Sequence, residues 1–372
     1  TAIKGTCSKE RLLELIQHFT LYDLNNKIVA KYHQYLGVQN SFSSFEKKRK
    51  MSDAAERKRL GVFWHTQGSG KSFSMIFLSN KIMAKYATSH TILVVTDRKT
   101  LDKQIHQNFI LARQAQADTA QTKSFYHQAG SSHDLRNLLS GLPQRYIFTL
   151  IHKFGLPKGE RLYPVLSERN NIIVMIDEAH RTEYGSLAEN MRRALPNAQY
   201  IAFTGTPLLD ESETTRKWFG DYVSEYNFSQ SIADGATVPL YYENRLPEVV
   251  LANEDLEDEF LEIVDKTGLS EEQTEVLKAK HAKTISILKA DDRLEKIAAD
   301  IVQHFFYQKG FRGKAMVVSI DKFTTVRMYD KVQKYWKQEQ KKISLAIQKM
   351  EKESAEYKQK KGLLRYLKQC ER

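Results

Sequence analysis

The sequence predicts an α/β protein built on a parallel sheet. Three observations carry this. Short apolar runs recur along the chain up to about Gly220, each run is followed by a stretch with helical spacing, and most runs are apolar at nearly every position. A strand that is apolar at both parities must be covered on both faces, and helices crossing over between parallel strands supply that cover. The candidate strands are Gly61–His65, Thr91–Thr96, Arg145–Leu150, Ile172–Asp177 and Gln199–Thr204, each rich in Val, Ile or aromatic residues. Ligands in such sheets bind beyond the carboxyl ends of the strands, so the residues after each run are the ones to examine for chemistry.

Before the first run, residues 10–40 read as helical, through "RLLELIQHF" and "IVAKYHQYLGV", and a basic segment, "SSFEKKRKMSDAAERKRL", leads into "GVFWH". After Gly220 the character changes. "SIADGATVPLYYENRLPEVV" carries turn signals and two prolines and reads as a connector, and residues 252–300 are acidic and then mixed in charge, with helical spacing. "KAMVVSIDKFTTVRMYDKVQKYW", Lys314–Trp336, restarts a strand-then-helix pattern, and residues 337–372 read as a charged, solvated helix.

Composition narrows the function. Across 372 residues, 41% are hydrophobic and 27% charged, enough for a sizeable core. Lys and Arg number 57 against 45 Asp and Glu, a net charge of +12 that suits a polyanionic partner. The cysteines are Cys7 and Cys370, which excludes a disulfide framework or a zinc motif and fits a reducing, cytoplasmic setting. No run approaches the roughly 18 apolar residues of a membrane span, so no membrane partner is expected.

Three strand ends carry the chemistry. "HTQGSGKS", His65–Ser72, lies between the run "GVFWH" and a helical stretch, where a phosphate-binding loop must lie. Its glycines let successive backbone amides face phosphate oxygens, and the following helix adds its positive end. Thr66, Gln67, Gly68, Ser69 and Gly70 would form the cradle, Lys71 would reach the β- and γ-phosphates, and Ser72 would offer its hydroxyl to Mg²⁺. The first glycine of the usual pattern is replaced by His65. "NIIVMIDEAH" ends a buried run in Asp177 and Glu178, adjacent carboxylates that are costly there without a cation. Asp177 is placed to hold Mg²⁺, and Glu178 to orient or deprotonate the attacking water. "YIAFTGTPL" ends a further run in Thr204, Gly205 and Thr206, whose two threonines are small hydroxyl residues able to report the state of a neighbouring carboxylate.

In this order, "HTQGSGKS", "DEAH" and "TGTP" resemble motifs I, II and III of superfamily 2 helicases and translocases. "VVTDRKTLDKQ", "IFTLIHKF", "MIDEAHRTEYG" and "FGDYVSEYNFSQSIADGATVPLYYENR" narrow the resemblance to the restriction (R, motor) subunit of type I restriction–modification enzymes, over about residues 10–335. His65 in place of glycine is a mark of that family's loop. The resemblance implies a RecA-like P-loop NTPase domain and the beginning of a second. It divides the chain into a helical lead-in (1–60), a first RecA-like domain (61–235), a connector with a helical segment (236–300) and the incomplete start of a second RecA-like domain (301–372). It implies ATP and Mg²⁺ as cofactors, with Gln34 bonding the adenine and Tyr32 packing near it. His180 takes a relay role from the same motif. It also implies ATP-driven movement along double-stranded DNA, in a complex with methyltransferase and specificity subunits. Thr96, Asp97 and Arg98, and then Thr149 and Lys153, match the family's DNA-contacting motifs and would touch phosphates.

Other segments of that family's pattern are missing from this sequence. No nuclease motif precedes the motor, and the motif carrying an arginine to the γ-phosphate does not follow it. The resemblance therefore implies a fragment that binds ATP·Mg weakly and turns it over slowly. Two alternatives stay open: another superfamily 2 DNA translocase, and a nucleotide- or DNA-binding module without turnover of its own.

Overall fold

The computed structural model describes residues 8–23, 26–86, 90–114, 125–157, 159–179, 186–206, 212–243, 288–308, 314–350 and 354–370. They fall into two compact units that meet in sequence between Leu240 and Tyr241.

The first unit is built on a seven-stranded sheet with the order β5-β6-β4-β7-β8-β3-β9. Its strands are β3 (Arg59–His65), β4 (Thr91–Thr96), β5 (Tyr126–Gln128), β6 (Tyr146–Leu150), β7 (Ile172–Asp177), β8 (Gln199–Thr204) and β9 (Tyr222–Tyr226). Every pairing in it is parallel. The near-continuous apolar runs are explained by cover on both faces. Alternate residues of one strand enter different cores: Ile92 and Val94 pack with Phe63, Phe77, Phe148 and Met175 on one side. Leu93 and Val95 pack with Ile147, Val174, Ala202 and Phe219 on the other. The covering helices include α3 (Lys71–Tyr86), α4 (Lys99–Gln114), α5 (Ser132–Ser140), α6 (Ser186–Ala194) and α7 (Ser212–Phe219).

The lead-in differs from the continuous helix expected over residues 10–40. It forms α1 (Lys9–His18), an antiparallel pair β1 (Thr20–Asp23) and β2 (Asn26–Val29), and then α2 (Tyr32–Lys48). The reason is local. "TLYD" and "NKIV" are β-prone and flank the turn-forming residues of "DLNN", which a helix tolerates poorly. Gly37 on α2 allows the helix to lie close on the sheet, since a β-carbon there would come within 2.6 Å of the Phe63 ring.

The described helices of the second unit are α9 (Asp291–Gln303), α10 (Lys322–Gln348) and α11 (Ala355–Cys370). The expected strand within Lys314–Ile320 does not form: residues 314–319 pair with no strand among the described residues, and Met316 and Val318 are exposed. A strand leaves its amides to solvent unless a neighbour bonds them, and no such neighbour is offered among the described residues. The charged C-terminal stretch also differs from a solvated helix. Leu367 of α11 is fully buried against Val302 and Phe306, with Trp336 of α10 beside them. No described helix is long and apolar enough to cross a membrane.

Candidate nucleotide site

Parallel pairing brings the three motifs to one edge. Trp64 is level with Thr204 across β3 and β8, and Asp177 is level with Phe203 across β7 and β8. The loop after β3, the carboxylates after β7 and the turn after β8 are therefore neighbours, with the β8 turn in the middle.

The loop has the shape that the sequence leads one to expect. Gly68 and Gly70 take φ of +82° and +83°, and a β-carbon at Gly70 would meet Gln34 Nε2 at 2.6 Å. Only glycine satisfies both conditions at that position. The Ser69 amide and hydroxyl both donate to the Thr66 carbonyl, and the Thr66 amide donates to Tyr226 O at 3.0 Å. The Gly70 carbonyl accepts from the Phe73 and Ser74 amides and so starts α3. Thr66, Ser69 and Lys71 are buried, Gln67 and Gly68 are exposed, and Ser72 is half-buried.

Lys71 points along the edge towards β8: a β-carbon on Gly205 would lie 2.9 Å from Lys71 Nζ and 2.9 Å from Gln67 Cγ. The glycine of the "TGT" turn is therefore what lets the loop lysine pass. Burial pushes the Lys71 ammonium below its ordinary pKa, and the Glu178 and Asp177 carboxylates oppose that shift. Asp177 is pushed the other way, up to about 6, by its own burial and by the Glu178 charge, while Lys71 pulls it down. Glu178 stands at φ +50°, the left-handed region, the one non-glycine residue to do so among the described residues. Strain of this kind costs roughly 1–3 kcal/mol and collects at functional sites. Thr204 Oγ1 accepts from the Thr206 amide at 3.3 Å and donates to the Thr206 carbonyl at 3.1 Å, which closes the turn.

His65 is not a defect in the loop. It is fully buried, with Nε2 2.8 Å from Ser224 Oγ on β9 and its ring against Phe63, at 4.0 Å between centroids. Burial, with His33 and Lys71 nearby, pushes its pKa down to about 3, so it is neutral at physiological pH. It replaces loop backbone freedom with a side chain locked between β3 and β9.

Gln34 is at the loop and its amide is engaged there. Its Nε2 donates to the Gly70 carbonyl and its Oε1 accepts from the Lys31 amide, both at 2.9 Å. Tyr32 is exposed, with its hydroxyl donating to Asp234. His180 lies outside the described residues.

The residues matched to DNA contacts are less uniform. Asp97 and Arg98 face solvent beside each other, 4.0 Å apart. Thr96 and Thr149 are fully buried at strand ends, and Lys153 donates to the Ala129 carbonyl within the fold. Among the described residues no group of three or more His, Cys, Asp or Glu could hold a metal ion. A cation at this edge would depend on Ser72 and Asp177 together with bound phosphate.

Sequence reasoning missed His33, Tyr226 and Asp234, which pack behind the loop. One local signal was available. "NFSQ" is a capping box, and Asn227 and Gln230 do cap α8 (Phe228–Ala233) reciprocally. It announces a helix that starts just before the segment read as a connector from Ser231.

Residues 33–275 match the SWI2/SNF2 ATPase family model. A putative type I restriction enzyme endonuclease subunit, MjaIXP, from Methanocaldococcus jannaschii is 37% identical over 88% of this chain and 30% of its own length. The type I restriction enzyme HindI endonuclease subunit of Haemophilus influenzae is 37% identical over 89% of this chain and 32% of its own. The chain thus spans about a third of the length of these curated relatives. They bear out the resemblance to type I restriction subunits read from the motifs. With its loop, carboxylate pair and "TGT" turn inside the matched span, the chain belongs to the SWI2/SNF2 ATPase family.

Proposed function

We propose that this chain is the ATP-hydrolysing motor core of a type I restriction endonuclease subunit, driving movement along double-stranded DNA ahead of cleavage by a nuclease region. The observation that carries the reading is that Lys71, at the start of α3, and Asp177 and Gly205, at the ends of β7 and β8, lie along one sheet edge.

The residues present fit ATP and Mg²⁺. Asp177 is buried, and burial with the adjacent Glu178 charge raises its pKa, so a cation placed there would favour its ionised form. Lys71 is a buried ammonium whose charge the Glu178 and Asp177 carboxylates favour against its burial, and phosphate oxygens would favour it further. In this reading the amides of Gly68–Lys71 cradle the phosphates, and Lys71 neutralises their charge. Ser72 and Asp177 hold Mg²⁺, which when bound stabilises the charge that develops on the transferred phosphoryl oxygens. Glu178 orients the attacking water and accepts its proton. The Thr204–Thr206 turn, in contact with Lys71 through Gly205, links the state of the site to the rest of the sheet edge. Gln34 reads the adenine with the amide capacity it has left, and Tyr32 flanks it. His180 is assigned its relay role from the motif alone.

For DNA, Arg98 makes the first phosphate contact, with Asp97 setting its direction. Thr96 and Thr149 shape the strand ends behind it, and Lys153 reaches DNA on leaving the Ala129 carbonyl. Methyltransferase and specificity subunits complete the parent complex. The test is DNA-stimulated ATP hydrolysis and translocation by the intact enzyme. Lys71→Ala and Asp177→Ala are expected to abolish both while the protein still folds, and normal motor activity in either variant would remove the assignment. Arg98→Glu is expected to weaken DNA binding and flatten its salt dependence.

A further inference from the structure

Two carbonyls of the loop are held from behind by consecutive residues of α2. The Ser69 carbonyl is 3.0 Å from His33 Nε2, and the Gly70 carbonyl is 2.9 Å from Gln34 Nε2. A carbonyl can only accept, so His33 carries its proton on Nε2. Each carbonyl turned back in this way leaves the neighbouring amides turned forward, the orientation a phosphate cradle needs.

His33 is itself fixed. Its ring stacks on Tyr226, with centroids 3.9 Å apart and planes 8° from parallel. The Tyr226 hydroxyl donates to Asp234 Oδ2 at 2.8 Å, and the Tyr32 hydroxyl donates to the same oxygen. Asp234 ends α8. The residues after it fold back, with the Ala236 and Thr237 amides both bonded to the Ser231 carbonyl. The methyl of Thr237 would be 3.4 Å from a β-carbon at Gly68, so this turn rests against the loop's exposed glycine. A chain of contacts thus runs from a surface carboxylate through a phenol and a stacked imidazole to the loop backbone. A carboxylate beside a site for polyphosphate works against binding if it faces the ligand. Here its charge is engaged by two phenol hydroxyls, which hold its pKa down.

We propose that Asp234 is a positioning residue for the phosphate loop, acting through Tyr226 and His33 on the Ser69 carbonyl. The proposal rests on the reading of the loop as the ATP site. The loop has two glycines at positive φ, and the entropy lost on ordering such residues opposes binding unless they are ordered beforehand. Fixing the back of the loop supplies that order, and its effect falls chiefly on the β- and γ-phosphates.

The experiment is displacement of a fluorescent ATP analogue from the full chain by ATP·Mg, ADP·Mg and AMP. Asp234→Ala and His33→Ala are expected to weaken ATP and ADP roughly tenfold, the size expected for one or two hydrogen bonds, and AMP by roughly threefold or less, since AMP has a single phosphate and Asp234 also holds Tyr32 beside the adenine. Asp234→Asn keeps an oxygen that accepts both phenols, and His33→Gln keeps a donor, so each should recover most of the loss. Tyr226→Phe preserves the stack and removes one bond, so a threefold loss for ATP (about) is expected. Equal losses for AMP and ATP, or full ATP affinity in Asp234→Ala, would overturn the proposal. If Asp234→Ala does not fold, unchanged ATP affinity in Tyr226→Phe overturns it instead. Lys71→Ala separates the two readings. Wild-type ATP affinity in that variant removes the ATP site itself, whereas a Lys71-dependent affinity that ignores Asp234 and His33 removes only the positioning role.

Discussion

Phe148 and Phe203 are fully buried within a sheet covered on both faces, whereas beyond Leu240 Met316, Val318 and Phe323 are 87%, 79% and 72% exposed. The sheet unit places most apolar residues of its seven-stranded sheet in one of two cores. The helical unit buries a narrow seam of Leu294, Ala298, Val302, Phe306, Met328 and Leu367, and relies on ion pairs along its surface. The difference teaches where sequence and stability are tied most tightly. In the sheet unit a side chain's neighbours are set by strand order, and in the helical unit much of the apolar surface has no described neighbour. The sharpest test is one substitution made in both places. Phe148→Ala should destabilise the protein by about 3–5 kcal/mol, since the Phe109, His106 and Tyr126 rings around it cannot close the cavity. Phe323→Ala should change stability by less than about 0.5 kcal/mol. Denaturant unfolding followed by circular dichroism measures both, and equal losses would dissolve the contrast.

Glycine gives a second pair, of smaller size and opposite sign. Gly70 sits at φ +83° with Gln34 Nε2 where its β-carbon would go, so Gly70→Ala should destabilise by about 1–2 kcal/mol and abolish nucleotide binding. Gly362 lies inside α11 with nothing within 4 Å of its missing β-carbon. Gly362→Ala should therefore stabilise by about 0.5–1 kcal/mol, through helix propensity alone. A destabilised Gly362→Ala would show that this helix face has a neighbour after all.

The central strands were legible because burial on both faces writes itself as an unbroken apolar run. Thr91–Thr96, Ile172–Asp177 and Gln199–Thr204 form at the expected residues. The edge strands were not. β5 is three residues long, and β9, "YVSEY", is only partly buried, so neither shows a run. The loop, the carboxylate pair and the "TGT" turn were readable because each is a local pattern. The tract behind the loop was not, because Tyr32 and Asp234 are 202 residues apart in sequence and meet only through the fold. Lys314–Ile320 shows the converse failure: it has the composition of a strand, but composition does not supply a partner.

Carboxylates divide the units a third way. In the helical unit Lys331, with Tyr335 and Lys334, holds the Glu295 carboxyl down at about 2, and Lys289 holds Asp321 down to a similar value. Their ionised forms favour the fold, a contribution present above the ordinary carboxylate range and lost as pH falls through about 2. Asp177 is the reverse. Its pKa rises from 3.8 to about 6, so its ionised form opposes the fold, and the penalty is present above pH 6 and gone below pH 4. Asp177→Asn should therefore stabilise the nucleotide-free protein by about 1 kcal/mol at pH 7.5, a gain limited because the amide is also buried. The gain should fade as pH is lowered from 6 to 4, and thermal melts across that range measure it. In the same melts Glu295→Gln should lower stability at pH 7.5. If Asp177 holds Mg²⁺ as proposed, ATP·Mg binding favours its ionised form, so saturating ATP·Mg should reverse the order of Asp177→Asn and wild type. If Asp177→Asn melts below wild type without nucleotide at pH 7.5, Asp177 belongs with the stabilising carboxylates of the helical unit and not with a cation site.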